Sequence, residues 1–134
     1  MANFMRFSRK WLKRARAMGR AARTLFAFAV YVSAVAALLI FVPDTFLGWF
    51  GFPPTHEVWI RIVGMCFGGL AFYYVFGSLE DLRPFIRLTV FARSLTLPFF
   101  AVLVGLGLTK PVLLLFGVID LAGALWTAWA LRRA

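Results

Sequence analysis

Four long apolar stretches, separated by short polar connections, dominate the chain. They cover about residues 24–42, 58–79, 84–108 and 112–131. Each is close to or above the roughly 20 residues that a helix needs to cross a bilayer. Lipid offers the backbone no hydrogen-bond partner, so helices are expected there, and the short segments of alternating polarity typical of a membrane β-barrel are absent. The pattern predicts an all-α fold, an integral membrane four-helix bundle over residues 24–134.

Proline and capping residues mark the ends of these stretches. Pro43 disfavours helical geometry in the residue before it, so it is expected to stop the first helix. Thr55 is a candidate N-cap for the second helix, where Glu57 would suit the positive end of the helix dipole. Pro84 fits the first turn of the third helix, where its missing N–H costs little.

The first 23 residues show a different pattern, with apolar and basic residues on opposite sides of a helix. At about 100° per residue, Phe4, Phe7 and Trp11 share one narrow face. The opposite side carries cations, including Arg9, Lys13, Arg16 and Arg20. Residues 1–23 are therefore predicted to form an amphipathic helix in the plane of the cytoplasmic membrane surface, in contact with the lipid bilayer. A topology signal and a partner-binding helix are the alternatives.

Composition and charge agree with a membrane protein of one domain. Of the 134 residues, 63% are hydrophobic and only 15% are charged, which is more apolar surface than a soluble domain of this size can bury. The net charge of +10 resembles that of a nucleic-acid binder, but eight of the fifteen Lys/Arg residues precede the first apolar stretch. No recognition motif accompanies them, so no nucleic-acid partner is predicted.

The distribution of Lys and Arg between the connections predicts the orientation. The N-terminal segment has eight, the first connection none, and the last connection only Lys110. The positive-inside rule then places both termini in the cytoplasm. An export signal ending at Ala34-Val35-Ala36 is disfavoured because the apolar run continues to Val42.

Charged residues inside the apolar stretches are the main clue to function, because they are costly at membrane depth unless paired or hydrated. Glu57 and Arg61 are four residues apart, which would place them on one helical face. Arg93 and Asp120 lie well inside the third and fourth stretches. We expect Arg61, Arg93 and Asp120 to converge, and Glu57, beside Arg61, to complete a polar cluster of four residues. The cluster would either fix the helix packing or line a pocket for a lipophilic molecule with an anionic or polar head; a proton path is a weaker alternative, because arginine holds its proton tightly.

Small residues predict where helices approach each other. Gly64 and Gly68 form a small-xxx-small pair on the second stretch, and Gly117 and Ala124 belong to a similar stripe on the fourth. Close packing of the second and fourth helices is the main interpretation, and a homo-oligomer is the alternative.

Residues with the usual catalytic or metal-binding spacing are missing. There is no phosphate-binding glycine loop, no Gly-x-Ser-x-Gly motif and no His-Glu-x-x-His motif. Cys66 and His56 are the single residues of their types, so one chain holds no disulfide and no bis-histidine site. No catalytic residue, metal or cofactor is predicted. A small membrane enzyme that acts on a lipid-like substrate, with Asp120 or Glu57 as acid or base, ranks last.

Three segments resemble motifs of small bacterial four-span membrane proteins of the BphX-like and DoxX-like type. They are Arg61-Ile-Val-Gly64, Asp81-x-Arg83-Pro-Phe85 with Thr89-Val90-x-x-Arg93, and Asp120-Leu-x-Gly-Ala-x-Trp126-Thr127. The resemblance covers about residues 25–131 and implies a bundle in the bacterial inner membrane, sometimes accessory to catabolic or quinone-linked redox systems. It carries over no catalytic residue.

We therefore expect a non-catalytic accessory or stabilising subunit of a larger inner-membrane assembly. The alternatives are binding or transport of a quinone, lipid or aromatic hydrocarbon, and the small membrane enzyme.

Overall fold

The computed structural model describes residues 1–133, apart from the side chain of Ala15. This part of the chain contains seven α-helices and no β-strand, which confirms the predicted all-α class. The helices are α1 (Ala2–Ala17), α2 (Arg20–Phe41), α3 (Pro43–Trp49), α4 (Trp59–Leu79), α5 (Arg83–Ser94), α6 (Thr96–Gly105) and α7 (Leu113–Arg132). Ala134, the last residue of the predicted bundle segment, lies outside the described residues.

Four helical segments are long and apolar enough to cross a membrane. They are Arg20–Phe41, Trp59–Leu79, Arg83–Gly105 and Leu113–Arg132, with 22, 21, 23 and 20 residues. At about 1.5 Å per residue, each spans roughly the 30 Å of a hydrocarbon core or slightly more. Each predicted span overlaps one of these segments, and the chain is a multi-pass membrane protein.

The N-terminal segment contains a helix break that the sequence analysis did not predict. α1 ends at Ala17, where Met18 adopts an extended backbone conformation, and α2 begins at Arg20. Arg20 and Arg23 therefore belong to α2, which begins before the predicted start of the first span. The Nη2 atom of Arg23 donates a hydrogen bond to the carbonyl of Arg16, 3.4 Å away, so it reaches back to the last turn of α1.

The third span consists of two helices, although one continuous helix over residues 84–108 was expected. α5 ends at Ser94 and α6 begins at Thr96. Pro98 explains the break, since its missing N–H is the group that a continuous helix would bond to the carbonyl of Ser94, and its ring clashes with that turn. Pro84 lies in the first turn of α5, as predicted.

The connection between the first two spans contains a short helix, α3, that was not predicted. α2 ends at Phe41, and Pro43 begins α3, so Pro43 separates the two helices as predicted. Phe46 is buried in α3 and packs edge-to-face against Trp49 and Phe50, with ring centroids 6.0 and 5.3 Å apart.

Thr55 does not cap the second spanning helix, because α4 begins four residues later, at Trp59. Its hydroxyl instead accepts a hydrogen bond from the backbone N–H of Glu57 at 3.3 Å, in a local turn. Its own N–H donates to Oδ1 of Asp44 at 3.0 Å. Thr55 thus holds the connection together ahead of the helix.

The chain divides into two compact units. The terminal unit comprises Met1–Phe26 and the chain from Phe76 onward; the central unit is Ala27–Val75. In the terminal unit, α5 and α6 both pack against α7, around the fully buried side chains of Leu25, Ile86 and Thr127. In the central unit, the rings of Phe28 and Tyr74 lie 6.1 Å apart between α2 and α4.

Candidate functional site

Arg93 lies in the core of the terminal unit, with only 3% of its surface exposed. It belongs to the last turn of α5, where its Nε donates a hydrogen bond to the carbonyl of Thr89 at 3.3 Å. Its Nη2 donates to Oγ1 of Thr127 on α7 at 2.9 Å. A buried guanidinium is tolerated only when its donors are satisfied, so the α7 hydroxyl is part of what permits this burial.

Thr127 passes the hydrogen bonding on from Arg93 to α2. Its Oγ1 lies 2.7 Å from Oγ1 of Thr24, and the Thr24 hydroxyl donates to the carbonyl of Ala21 at 2.7 Å. A hydroxyl has one proton to donate. Because the proton of Thr24 points to Ala21, the proton of Thr127 must point to Thr24. Donation therefore runs in one direction, from Arg93 through Thr127 and Thr24 to Ala21, and we call this chain the Arg93 network.

Asp120 lies half-buried on α7, two helical turns before Thr127. The side chain of Thr96, at the start of α6, and the positive charge of Arg93 both lie near its carboxylate. The structure thus brings together Arg93 and Asp120, two of the four residues in the predicted polar cluster.

The other two residues of that predicted cluster, Glu57 and Arg61, belong to the central unit and are exposed. The guanidinium of Arg61 donates a hydrogen bond to the carbonyl of Ile40, in the last turn of α2. It therefore satisfies one of the carbonyls left open at a helix C-terminus and complements the negative end of the helix dipole. The meeting of Arg61 with Arg93 and Asp120 stays a prediction.

The sequence analysis expected Glu57 and Arg61 to share one helical face, but in the structure they do not. α4 begins at Trp59, so Glu57 precedes the helix and the four-residue spacing has no helical meaning there. Its backbone N–H is held by Thr55, and its side chain is exposed.

A groove of about 430 Å³ lies in the central unit, next to Arg61. Its lining combines apolar side chains with ionisable and hydroxyl groups: Phe41, Val42, Pro43, Asp44, Thr45, Thr55, His56, Glu57, Val58, Ile60 and Arg61. Its volume falls within the range of small-molecule sites. Glu57 and Arg61 therefore both line this groove at the end of α2.

One side of the N-terminal helix α1 packs against the rest of the terminal unit. Trp11 is half-buried and packs edge-to-face against Phe76, with ring centroids 5.3 Å apart. The guanidinium of Arg14 lies 5.2 Å from the centre of the Trp11 ring and forms an ion pair with Glu80. Trp11, Arg14, Phe76 and Glu80 together form what we call the α1 clasp.

The turn after α4 also contacts the start of α2. A Cβ atom at Gly19 would lie 3.4 Å from Oδ2 of Asp81, so the carboxylate rests directly against this glycine. A negative charge at this place is favourable, because the N-terminus of α2 carries the positive end of the helix dipole. Asp81 has a φ of 50°, a left-handed conformation that Asp tolerates better than most residues.

The remaining predicted surface residues of the N-terminal segment face outward. Phe4 and Phe7 are 74% and 59% exposed. The predicted cations are exposed as well: Arg9, Lys13, Arg16 and Arg20. Thus Trp11, alone among the predicted apolar residues of this helix, is partly covered by the rest of the described chain.

The four small residues predicted to mediate helix contacts have different surroundings. A Cβ atom at Gly64 would lie 2.8 Å from Cγ1 of Ile40, so Gly64 allows α4 to approach α2. Gly117 plays the same part for α7 against Leu97 of α6, and Ala124 is fully buried. Within the described residues, a Cβ atom at Gly68 would have no neighbour within 4 Å. The partners of Gly64 and Gly117 are thus sequence-adjacent spans, whereas the sequence analysis had paired the second and fourth.

Several interacting residues escaped the sequence analysis. Arg14 and Glu80 are separated by 66 positions and Thr24 and Thr127 by 103, so neither pair leaves a local pattern. Thr127 was noted only as part of the motif that begins at Asp120, and nothing in the sequence pointed to its pairing with Thr24.

Residues 1–133 contain no group of three or more His, Cys, Asp or Glu residues arranged to hold a metal ion. Comparisons with family models, with curated proteins and with solved structures gave no match to this chain. Membership in the BphX-like or DoxX-like type stays a prediction.

Proposed function

We propose that the chain is a non-catalytic integral membrane protein that acts as an accessory or stabilising subunit of a larger inner-membrane assembly. The observation that carries this proposal is the fixed position of α1. The α1 clasp holds the helix on the terminal unit by one side, while its cations and its other apolar side chains remain exposed. A charged helix held rigidly beside membrane-spanning helices is suited to contact other components at a membrane surface.

The Arg93 network supports a structural role for the buried charge. Each of the interactions described for Arg93, Thr127 and Thr24 is made within the terminal unit, and the chain of donors ends at a backbone carbonyl. Such a network fixes the packing of α2, α5 and α7. It favours a scaffold over a reaction centre.

The proposal includes an orientation, with both termini in the cytoplasm of a bacterial cell. It rests on the concentration of Lys and Arg in residues 1–23 and on the even number of candidate spans. α1 would then lie at the cytoplasmic surface of the inner membrane.

Affinity purification in mild detergent tests the subunit role. The full chain would carry a C-terminal tag, and a second preparation would carry Arg9→Gln, Lys13→Gln and Arg16→Gln. We expect a membrane protein to be recovered with the unchanged chain and to be less abundant in cells that lack it. Recovery of a lone chain, together with unchanged levels of all membrane proteins on deletion, would contradict the proposal. A second copy of this chain as the partner would support the homo-oligomer form.

Binding of a lipophilic small molecule is the second candidate function, and the groove beside Arg61 favours it. Apolar side chains and charged groups line the groove together, as a site for an apolar molecule with a polar head requires. A quinone matches this description, because Arg61 could donate to its carbonyl oxygen while the ring contacts Phe41 or Val58.

Titration of the purified chain with decylubiquinone tests this candidate, with tryptophan quenching as the measurement, since Trp59 is exposed two residues from Arg61. We expect saturable quenching that Arg61→Gln weakens at least tenfold and Arg87→Gln leaves unchanged. Arg87 is an exposed arginine on α5, outside the groove lining. Equal or non-saturable quenching in all three proteins would reject the groove as a quinone site.

A further inference from the structure

We propose that α1 binds the headgroups of anionic phospholipids, with its apolar side inserted between them. This inference rests on the proposed function in one respect, the location of α1 at a membrane surface. It goes further by naming the chemical partner of the exposed cations. The first step of the argument is the division of α1 into three sides.

The first side of α1 is used by the protein itself. Ser8, Trp11 and Arg14 are the half-buried residues among those whose side chains are described in α1. They follow one another at intervals of three, so they form one stripe along the helix. Trp11 and Arg14 belong to the α1 clasp, which fixes the rotation of the helix about its axis.

The second side, next to this stripe, is apolar and uncovered. Met5 and Leu12 are 49% and 58% exposed, and at 100° per residue they lie within about 20° of each other. Phe4 and Phe7 lie on the side of Trp11, but they too are exposed, at the N-terminal end of the helix. Large apolar side chains on a helix beside membrane spans are stabilised when they enter the interfacial region of the lipid.

The third side carries the charge and lies opposite the stripe. It contains four exposed cations, Arg6, Arg9, Lys13 and Arg16, and a fifth, Lys10, lies between them and Arg14. α1 contains no acidic residue, and Glu80 already pairs with Arg14. The five charges are therefore not neutralised by a carboxylate on their own helix. An anionic lipid surface supplies the complementary charge along the whole length of such a helix.

The adjacency of the second and third sides favours lipid over a soluble acidic partner. Arg9 and Arg16 border Met5 and Leu12 on the helical wheel, so one orientation inserts the apolar side and keeps the guanidinium groups at headgroup depth. The clasp presets that rotation, and the spans hold α1 at the membrane. Binding therefore needs little further ordering of the helix.

Nanodiscs that contain the purified full chain test this inference without any protein partner. Cys66→Ala removes the single cysteine, and Leu12→Cys then carries a polarity-sensitive fluorophore. Ala17→Cys, exposed on the basic side of α1, provides the matched control position. The discs contain either phosphatidylcholine alone or phosphatidylcholine with phosphatidylglycerol.

We expect a blue shift of the label at position 12 in the discs with phosphatidylglycerol, and no shift at position 17. Raising the salt concentration from 0.1 to 1 M, which shortens the screening length from about 10 Å to about 3 Å, should abolish it. Arg9→Gln with Lys13→Gln and Arg16→Gln should abolish it too, whereas Arg9→Lys with Arg16→Lys should preserve it. Circular dichroism would establish that all variants remain helical.

Two results would overturn the inference. Equal shifts in both kinds of disc would show that apolar insertion alone holds α1, and no shift in either would show that it does not enter the lipid. If the shift is absent while partner recovery still depends on the same three cations, the proposed subunit role stands and the cations bind protein. A normal shift without any recovered partner would instead leave lipid binding intact and reject the subunit role.

Discussion

At the residue scale, Arg93 shows how an apolar chain accommodates a buried charge. Its guanidinium is held by one hydroxyl and one carbonyl, and Asp120 lies close enough to offset part of its charge. Two neutral acceptors take hydrogen bonds from Nη2 and Nε, while the nearby carboxylate reduces the net charge. Thr127 is the residue on which this arrangement depends most, since it accepts from Arg93 and donates to Thr24.

The Arg93 network predicts the effect of removing a single hydroxyl. Thr127→Val keeps the side-chain shape but leaves Nη2 of Arg93 without its acceptor on α7, and it removes the donor to Thr24. We expect a loss of roughly 1–2 kcal/mol in the free energy of unfolding. Thr127→Ser retains the hydroxyl and should lose less. Thermal unfolding in detergent measures both variants, and a Thr127→Val protein as stable as the unchanged chain would show that the network contributes nothing.

Sequence reasoning reached part of this site. It singled out Arg93 and Asp120 because charge in an apolar stretch is rare, and that signal requires no knowledge of the fold. It did not find the bond between Thr24 and Thr127, because the rotation of each helix decides which hydroxyls meet. Arg61 shows the same limit: its charge was noticeable, but its contact with the Ile40 carbonyl depends on where α2 ends.

At the scale of elements, the predicted spans differ from the helices for identifiable local reasons. The second predicted span differs from α4 by one residue at its start, and the fourth differs from α7 by one residue at each end, because apolar composition and turn residues mark those ends clearly. The third was predicted as one helix over residues 84–108, with Arg87 and Arg93 inside it. Pro98 was the visible signal of the break, and attention to the N–H that proline lacks would have located it.

The α1 clasp predicts unequal effects from two substitutions on the same helix. Trp11→Ala removes the contact with Phe76 and should release α1, whereas Leu12→Ala removes a side chain that is 58% exposed. Glu80→Gln should have a smaller effect than Trp11→Ala, because exposed ion pairs contribute only about 0.2–1 kcal/mol.

Limited trypsin digestion in detergent measures this release, since α1 is rich in Lys and Arg. We expect faster cleavage within α1 for Trp11→Ala, a modest increase for Glu80→Gln, and no change for Leu12→Ala. Equal cleavage of the Trp11→Ala and Leu12→Ala proteins would contradict the clasp.

Gly64 and Gly68, two of the four glycines of α4, form a matched pair for a test of helix packing. Gly64→Leu forces a side chain against Ile40 and Leu39 of α2 and should cost about 1–3 kcal/mol, as overpacking does. Gly68→Leu meets open space within the described residues and should leave thermal unfolding almost unchanged. If Gly68 contacts a partner helix, its substitution should instead reduce partner recovery. Similar losses of stability for both variants would contradict the assignment of Gly64 to the α2 contact.

At the scale of the whole molecule, the asymmetry of charge along the chain connects topology with function. Eight cations lie within the first 23 residues, and the connection between the first two spans has none. Both proposals for α1 require that this charge lie on the cytoplasmic side, where anionic lipid headgroups and cytoplasmic surfaces of partner proteins are available. The two proposals for α1 therefore both depend on the predicted orientation.

Cysteine labelling in intact cells tests this orientation directly. After Cys66→Ala, single cysteines replace exposed residues in three places: Ala2→Cys in α1, His56→Cys before α4, and Lys110→Cys before α7. With four spans and a cytoplasmic N-terminus, a membrane-impermeant maleimide should reach positions 56 and 110 in intact cells, but position 2 only after lysis. Labelling of position 2 in intact cells would place α1 outside the cytoplasm, away from the proposed partners. Both proposals for α1 would then fail. Labelling of position 56 but not 110 would instead indicate that the Arg83–Gly105 segment, with its break at Leu95, does not cross the membrane.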